Sequence, residues 1–192
     1  MIIKLTSIFF CIFYIFFSNV IYALTSSSYL ISNIAFKNND FERATFEFNN
    51  LDKNLNLTDY ENNLISLINL YQFESANNAA LKILQFNKNH QEALIANLAY
   101  KLKKNNKLIY DSNNNFDKND LIKYIFFEKE NFKSNKEISI ALLEVVEVSL
   151  SNVTFDDEIN FNFLLFYLSL STYLDQRNNK SWFLIGQLYQ IM

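Results

Sequence analysis

Beyond residue 25 the apolar positions recur at intervals of three and four, the spacing of one face of an α-helix. Ser26-Ser27-Ser28 can cap a first helix, whose face carries Tyr29, Leu30, Ile31, Ile34, Ala35 and Phe36. Asn38-Asn39-Asp40 breaks that helix, and Asp40 is placed to cap the next. Phe41, Ala44, Phe48 and Leu51 line the second helix, so the two form a short antiparallel pair. The pattern then returns. Leu57-Thr58-Asp59 opens a helix with Leu64, Leu67, Ile68 and Tyr71, and a turn near Gln72-Phe73 starts its partner. That partner carries Phe73, Ala76, Ala80, Ile83 and Leu84. His90-Gln91-Glu92 starts a third unit, with Ala93, Leu94, Ala96, Asn97, Leu98, Tyr100 and Leu102 in its first helix.

The later chain continues in helices. Leu121 to Phe127 resumes one, Asn131 to Asn135 breaks it, and Glu137 to Leu150 forms another. Ile159 to Leu174 is apolar on every side, which predicts a helix buried between neighbours and paired with Ser181 to Tyr189. Phe41 to Phe73 and Ala44 to Ala76 are both 32-residue steps, and Phe73 to Leu108 is 35. These bracket the 34-residue period of helix–turn–helix arrays. The expected fold is all-α, a right-handed superhelical array of antiparallel helix pairs over residues 25–192. Its units are about 26–58, 59–90, 91–128 and 135–178, with an incomplete unit at 179–192.

Residues 1–24 are a separate object. Lys4 precedes an unbroken apolar run from Ile8 to Phe17, Ser18-Asn19 ends it, and Ala23 offers a small residue at a cleavage point. That order predicts a secretory signal peptide or an uncleaved anchor, with membrane attachment through residues 5–24. Either would export the chain to the periplasm or cell envelope.

Trp182, Ile185, Gly186 and Tyr189 stand at offsets 0, 3, 4 and 7 and use the chain's only Trp and only Gly. The expectation is that Trp182 wedges the start of a helix pair, Ile185 packs inward, Gly186 admits a close backbone and Tyr189 closes the face. With Ile185 for Leu, these four resemble the first-helix signature of the tetratricopeptide repeat family. Asp40-Phe41, Ala44 and Phe48 resemble the family's second helix, and Phe73 with Ala76 resembles it again. The family's inter-repeat Pro is missing, with Lys88 and Gln176 in its places, so these are degenerate repeats. The chain also resembles signal-bearing, repeat-containing proteins of alphaproteobacteria. The resemblance implies a protein-binding scaffold. In that frame Ser181 to Tyr189 is a first helix without its second. It either serves as the cap, or belongs to a truncated copy, or is covered by another subunit.

Composition narrows the chemistry. One His, one Cys and one Gly leave little room for a His/Cys metal site, an internal disulfide or a glycine-rich phosphate loop. A formal charge of -3 with Arg only at Arg43 and Arg177 argues against nucleic acid. His90 falls at a predicted turn, as a solvated helix-start residue. The Asn/Asp-rich stretch Asp111 to Asp120 lacks the Gly turn and closing Glu of a calcium loop. No catalytic set, metal or cofactor is therefore expected. The twenty Phe and eleven Tyr are mostly core, and some of them should line the inner surface of the array. Tyr29, Phe36, Tyr60, Tyr71 and Tyr100 in or near first helices face the concave side of such an array, and Tyr29, Phe36 and Tyr100, with Asn33, Asn63 and Asn97 recurring beside them, form the candidate binding surface. The expected function is a non-catalytic exported scaffold or adaptor for a protein or peptide partner in the envelope. The alternative is an accessory or truncated part of an envelope enzyme or of polysaccharide or cell-wall assembly.

Overall fold

A computed structural model describes residues 27–51, 55–105, 119–129, 131–152 and 160–192. Among these the chain is all-α, in successive helix pairs, apart from one small ribbon. The helices are α1 (residues 27–37), α2 (Phe41–Asn49), α3 (Leu57–Asn69), α4 (Phe73–Phe86), α5 (Gln91–Asn105), α6 (Asp120–Phe126), α7 (Asn135–Ser151), α8 (Phe161–Leu174) and α9 (Asn179–Ile191). Helix starts at Phe41 and Phe73, and at Leu57 and Gln91, repeat at 32 and 34 residues. The chain divides into two compact units, one running to Leu55 and one from Asn56 to Met192.

The first unit contains the pair α1 and α2. Its turn rests on Asn39, which is left-handed at φ 61°. Asn39 N–H donates to Phe36 and Asp40 N–H to Ala35, which satisfies the open carbonyls of α1. Asn is one of the few residues besides Gly that tolerates this conformation. The Asp40 carboxylate caps α2 through Arg43 N–H at 3.1 Å. Ser32 Oγ donates to the Ala44 carbonyl at 3.2 Å, and Ala44 and Phe48 are buried.

The second unit opens with a reciprocal cap. The Asn56 side chain accepts from Asp59 N–H while the Asp59 carboxylate accepts from Asn56 N–H. In α4 the buried face is Ala76, Ala79, Ala80 and Ile83, and such small side chains let α3 and α5 both pack against it. At the end of α6 the predicted break is instead an antiparallel ribbon, β1 (Phe127–Glu128) with β2 (Asn131–Phe132). Phe127 and Phe132 face each other across it at 4.5 Å, a cross-strand aromatic pair that holds so short a ribbon.

α8 is the centre of this unit. It is buried continuously from Leu164 to Thr172, and α7 and α9 pack on it as the sequence predicts. It also packs against α3 and α5, a long-range closure that the repeat period does not announce. Polar groups sit inside this packing. Ser171 Oγ donates to the Ser139 carbonyl at 2.8 Å and lies 2.9 Å from Ser139 Oγ and 2.8 Å from Ser181 Oγ. The Asn178 amide donates to both Ser139 and Ser171, while its oxygen caps α9 through Ser181 N–H. One hydroxyl thus ties α7, α8 and α9 together.

Two readings of the N-terminal region need comment. The expectation of membrane attachment and a membrane-anchored location is corrected: among the described residues no helix is long and apolar enough to cross a membrane. The segment assigned to that role, residues 5–24, lies outside the described residues, as do the signal-peptide reading and positions 111–118 of the Asn/Asp-rich stretch. At the end of that stretch, the Asn119 side chain caps α6 through Ile122 N–H.

Ser171→Ala should lower stability by about 2 kcal/mol in urea denaturation, because it strands buried partners on two neighbouring helices. A loss below about 0.5 kcal/mol would show that the hydroxyls do not hold the helices. A second expectation concerns α7. Glu137 accepts from both the O–H and the N–H of Ser134, each at 2.7 Å, and these bonds hold its carboxyl below the usual value. A lowered folded value stabilises above the unfolded value of 4.5 and is lost as pH falls through the folded one. Ser134→Ala should therefore destabilise more near neutral pH than at about pH 3 in denaturant melts at the two conditions.

Candidate functional site

The link between α3 and α4 is only Leu70, Tyr71 and Gln72. Reversing the chain in three residues uses a left-handed one, and here it is Tyr71 at φ 59°. Tyr71 N–H donates to Ile68 and Gln72 N–H to Leu67, the same closure as at Asn39. A bulky residue in this conformation costs about 1–2 kcal/mol, where Gly costs nothing. The strain puts the Tyr71 ring at the surface, 40% exposed.

From there a belt of rings crosses several helices. Tyr71 stacks on Trp182 of α9 at 5.8 Å with planes 10° apart, and meets Phe73 of α4 edge-on at 5.6 Å. Its hydroxyl lies 3.4 Å from Thr172 Oγ1 of α8. Phe73 stacks on Tyr173 of α8 at 3.8 Å. At the far end Lys103 of α5 sits 5.9 Å over the Tyr173 ring and donates to the Leu174 carbonyl at 3.0 Å. Lys104 lies over Tyr100 and donates to its hydroxyl at 3.2 Å. That bond raises the Lys104 pKa, so the charge persists. Burial first, then Tyr71, pushes the Tyr189 phenol up; burial first, then Tyr100, does the same for Tyr173. Both stay neutral at physiological pH. The belt offers flat apolar rings and phenol groups, with ammonium groups at one end.

The residues singled out from sequence fall in different places. Tyr100, Trp182 and Tyr189 belong to the belt or its edge. Asn63 and Asn97 are buried, with Asn97 bonded to Asn77 at 2.7 Å and the Asn63 carbonyl oxygen without a protein partner. Asn33 donates to Tyr29 one turn back in α1, and Phe36 packs edge-on against Phe41 at 6.4 Å. Ala76 and Ile185 are buried, whereas Trp182, Gly186 and Tyr189 face outward. His90 differs from its solvated expectation. It begins α5, but its side chain is 12% exposed and lies 2.6 Å from Glu61 and 3.3 Å from Glu92. Its Nδ1 accepts from Ala93 N–H at 3.4 Å, so it serves as a cap and a tether to α3. Among the described residues no group of three or more His, Cys, Asp or Glu could hold a metal ion.

Sequence reasoning placed Tyr71 among the aromatics of the candidate surface but missed its left-handed turn conformation, and it missed Phe73 and Tyr173 as half-buried members of the belt. One signal was present for Tyr71: a three-residue link containing neither Gly nor Asn forces another residue into the left-handed region. Comparison with family models, with curated proteins and with solved structures found no match for this chain.

The two sides of the Tyr71 account separate by substitution. Tyr71→Gly removes backbone strain and loses ring contacts worth roughly 0.5–1.5 kcal/mol, so stability should stay within about 1 kcal/mol of the parent. Tyr71→Ala keeps the strain and loses the ring, so it should be the less stable variant by about 1 kcal/mol. Equal urea midpoints for the two variants would remove the strain argument.

Proposed function

We propose that this chain is a non-catalytic helical scaffold of the tetratricopeptide kind and that it binds a partner protein through an extended segment laid along the aromatic belt. The observation that carries the proposal is Tyr71. A strained backbone is retained at a surface turn, and its product is an exposed ring stacked on a second exposed ring. Such strain concentrates at sites of function. Rings supply large contact area at low conformational cost, and aromatic-lined surfaces suit extended, proline-containing segments. Lys103 and Lys104 at one end favour a segment with an acidic residue at the matching end. Helix pairs repeating at 32 and 34 residues support the repeat-family reading, and α8 adds contacts to α3 and α5 that rigidify the surface.

The test is crosslinking and affinity capture from the native cells with the full chain, read by quantitative mass spectrometry. A partner captured by the parent should fall at least about tenfold with Tyr71→Gly and with Tyr173→Ala, both with helical circular dichroism intact. Capture unaffected by both variants would remove the belt as the binding surface.

A further inference from the structure

We propose that His90 is a proton-operated helix cap: neutral, it holds the first turn of α5, and protonated, it releases that turn and binds Glu92 instead. Other helices of this chain begin on a side-chain oxygen, supplied by Asp40, Asn56, Asn119, Ser134, Asn160 or Asn178. Such caps outlast a change of pH. Amide and hydroxyl oxygens keep their lone pairs, and a carboxyl that gains a proton can still accept. α5 begins on a ring nitrogen. The His90 carbonyl accepts from Leu94 N–H at 3.0 Å and Nδ1 accepts from Ala93 N–H at 3.4 Å, so His90 stands in the same capping position. An imidazole nitrogen that accepts does so with its only lone pair. Protonation turns it into a donor, and Nδ1–H then faces Ala93 N–H, donor against donor.

Both positions of this switch are built. With Nδ1 accepting, the proton of the neutral ring sits on Nε2, 2.6 Å from the Glu61 carboxylate of α3. That bond survives protonation, so Glu61 is the pivot. The Glu92 carboxylate, 3.3 Å from Nδ1, receives the new N–H. Among the described residues neither Glu61 nor Glu92 pairs with a Lys or Arg, so the imidazolium is the cation that reaches them. Their two charges offset the helix dipole, which opposes a cation at a helix start. The surrounding elements add no ion pair to the ring. α8 presents Tyr167 to Glu92, and burial first, then Glu92, pushes that phenol up, so it stays neutral. The residue that caps α6, Asn119, reaches Gln91 with its amide at 3.5 Å. On α4, Lys82 lies over the Tyr60 ring, and Glu74 acts on Lys104 at the far end of α5. The α4–α5 link gives the Asn87 carbonyl to His90 N–H, and its Lys88 is exposed. The cap is therefore present above the titration of the ring and lost as pH falls through it.

His90 is the only histidine, so its ring is read without ambiguity. The test is nuclear magnetic resonance of the uniformly 15N-labelled full chain between about pH 8 and pH 5. At the upper end the ring 15N shifts should place the proton on Nε2. As pH falls, the Ala93 amide should shift with the same midpoint as the ring, and its exchange protection factor should drop about tenfold. His90→Asn restores an oxygen cap and should leave the Ala93 amide unchanged across the range. Glu92→Gln retains the neutral cap and should move the Ala93 step to lower pH, and it serves if the Asn variant fails to fold. A ring protonated on Nδ1 at the upper end would overturn the proposal, as would an Ala93 amide that does not respond. So would a step that persists in His90→Asn, which belongs to a carboxylate, or one that Glu92→Gln leaves in place.

Discussion

A helix that is apolar on every side must be covered on every side, and α8 sets this condition for its unit. Its buried run from Leu164 to Thr172 exceeds what one or two neighbours can cover, and α3, α5, α7 and α9 all pack on it. Each fully buried Leu or Phe in such a run contributes about 1.5–3 kcal/mol. Hydrophobic burial is not directional, however, and a uniformly greasy cylinder has no preferred rotation. Direction comes from the hydroxyls. Ser171 bonds toward α7 and α9, while Ser169 donates to Asn69 of α3 at 3.4 Å. Rotating α8 would bury these groups without partners, at roughly 1–3 kcal/mol each. Burial holds α8 in place, and its serines fix which way it faces.

That arrangement explains what could be read from the chain and what could not. Local periodicity marked the helix pairs, the Ala76 and Ala80 face of α4 and the start of α5 at His90, because each depends on residues within one or two turns. Asp40 was legible as a cap for the same reason. The closure of α8 onto α3 and α5 was not. A helix without an amphipathic stripe shows that it is buried and not by what. The Asn residues show a second limit. Asn63 and Asn97 recur at similar helical positions and read from sequence as an open groove, but recurrence gives a face and no depth. Asn97 spends its amide on Asn77. His90 lost its solvated expectation because its carboxylate partner, Glu61, is 29 residues away.

The aromatic belt is a consequence of the same core. The C-terminal end of α8 carries Thr172 and Tyr173 to the edge of the packing, where the α3–α4 turn, the end of α5 and the start of α9 all arrive. Three separately encoded segments, the α3–α4 turn with the start of α4, the end of α8 and the start of α9, thus place Tyr71, Phe73, Tyr173 and Trp182 in one row. No single stretch of sequence contains the belt, so a motif search along the chain passes over it. Its neutral phenols follow from partial burial at that edge, and its lysines from the last turn of α5, where cations complement the helix dipole.

Departures from local rules locate function better than the rules themselves do. Asn39 and Tyr71 perform the same turn, yet Asn39 is the residue such a turn accepts and Tyr71 is not. Gly186 breaks the opposite rule, a flexible residue in a helix interior where a side chain has open space. In a chain with one glycine, the turn that needs it holds a tyrosine, and the helix that does not need it holds the glycine. Part of the cost at Tyr71 returns through its stack on Trp182, within the molecule. The cost at Gly186 returns nowhere within the described residues.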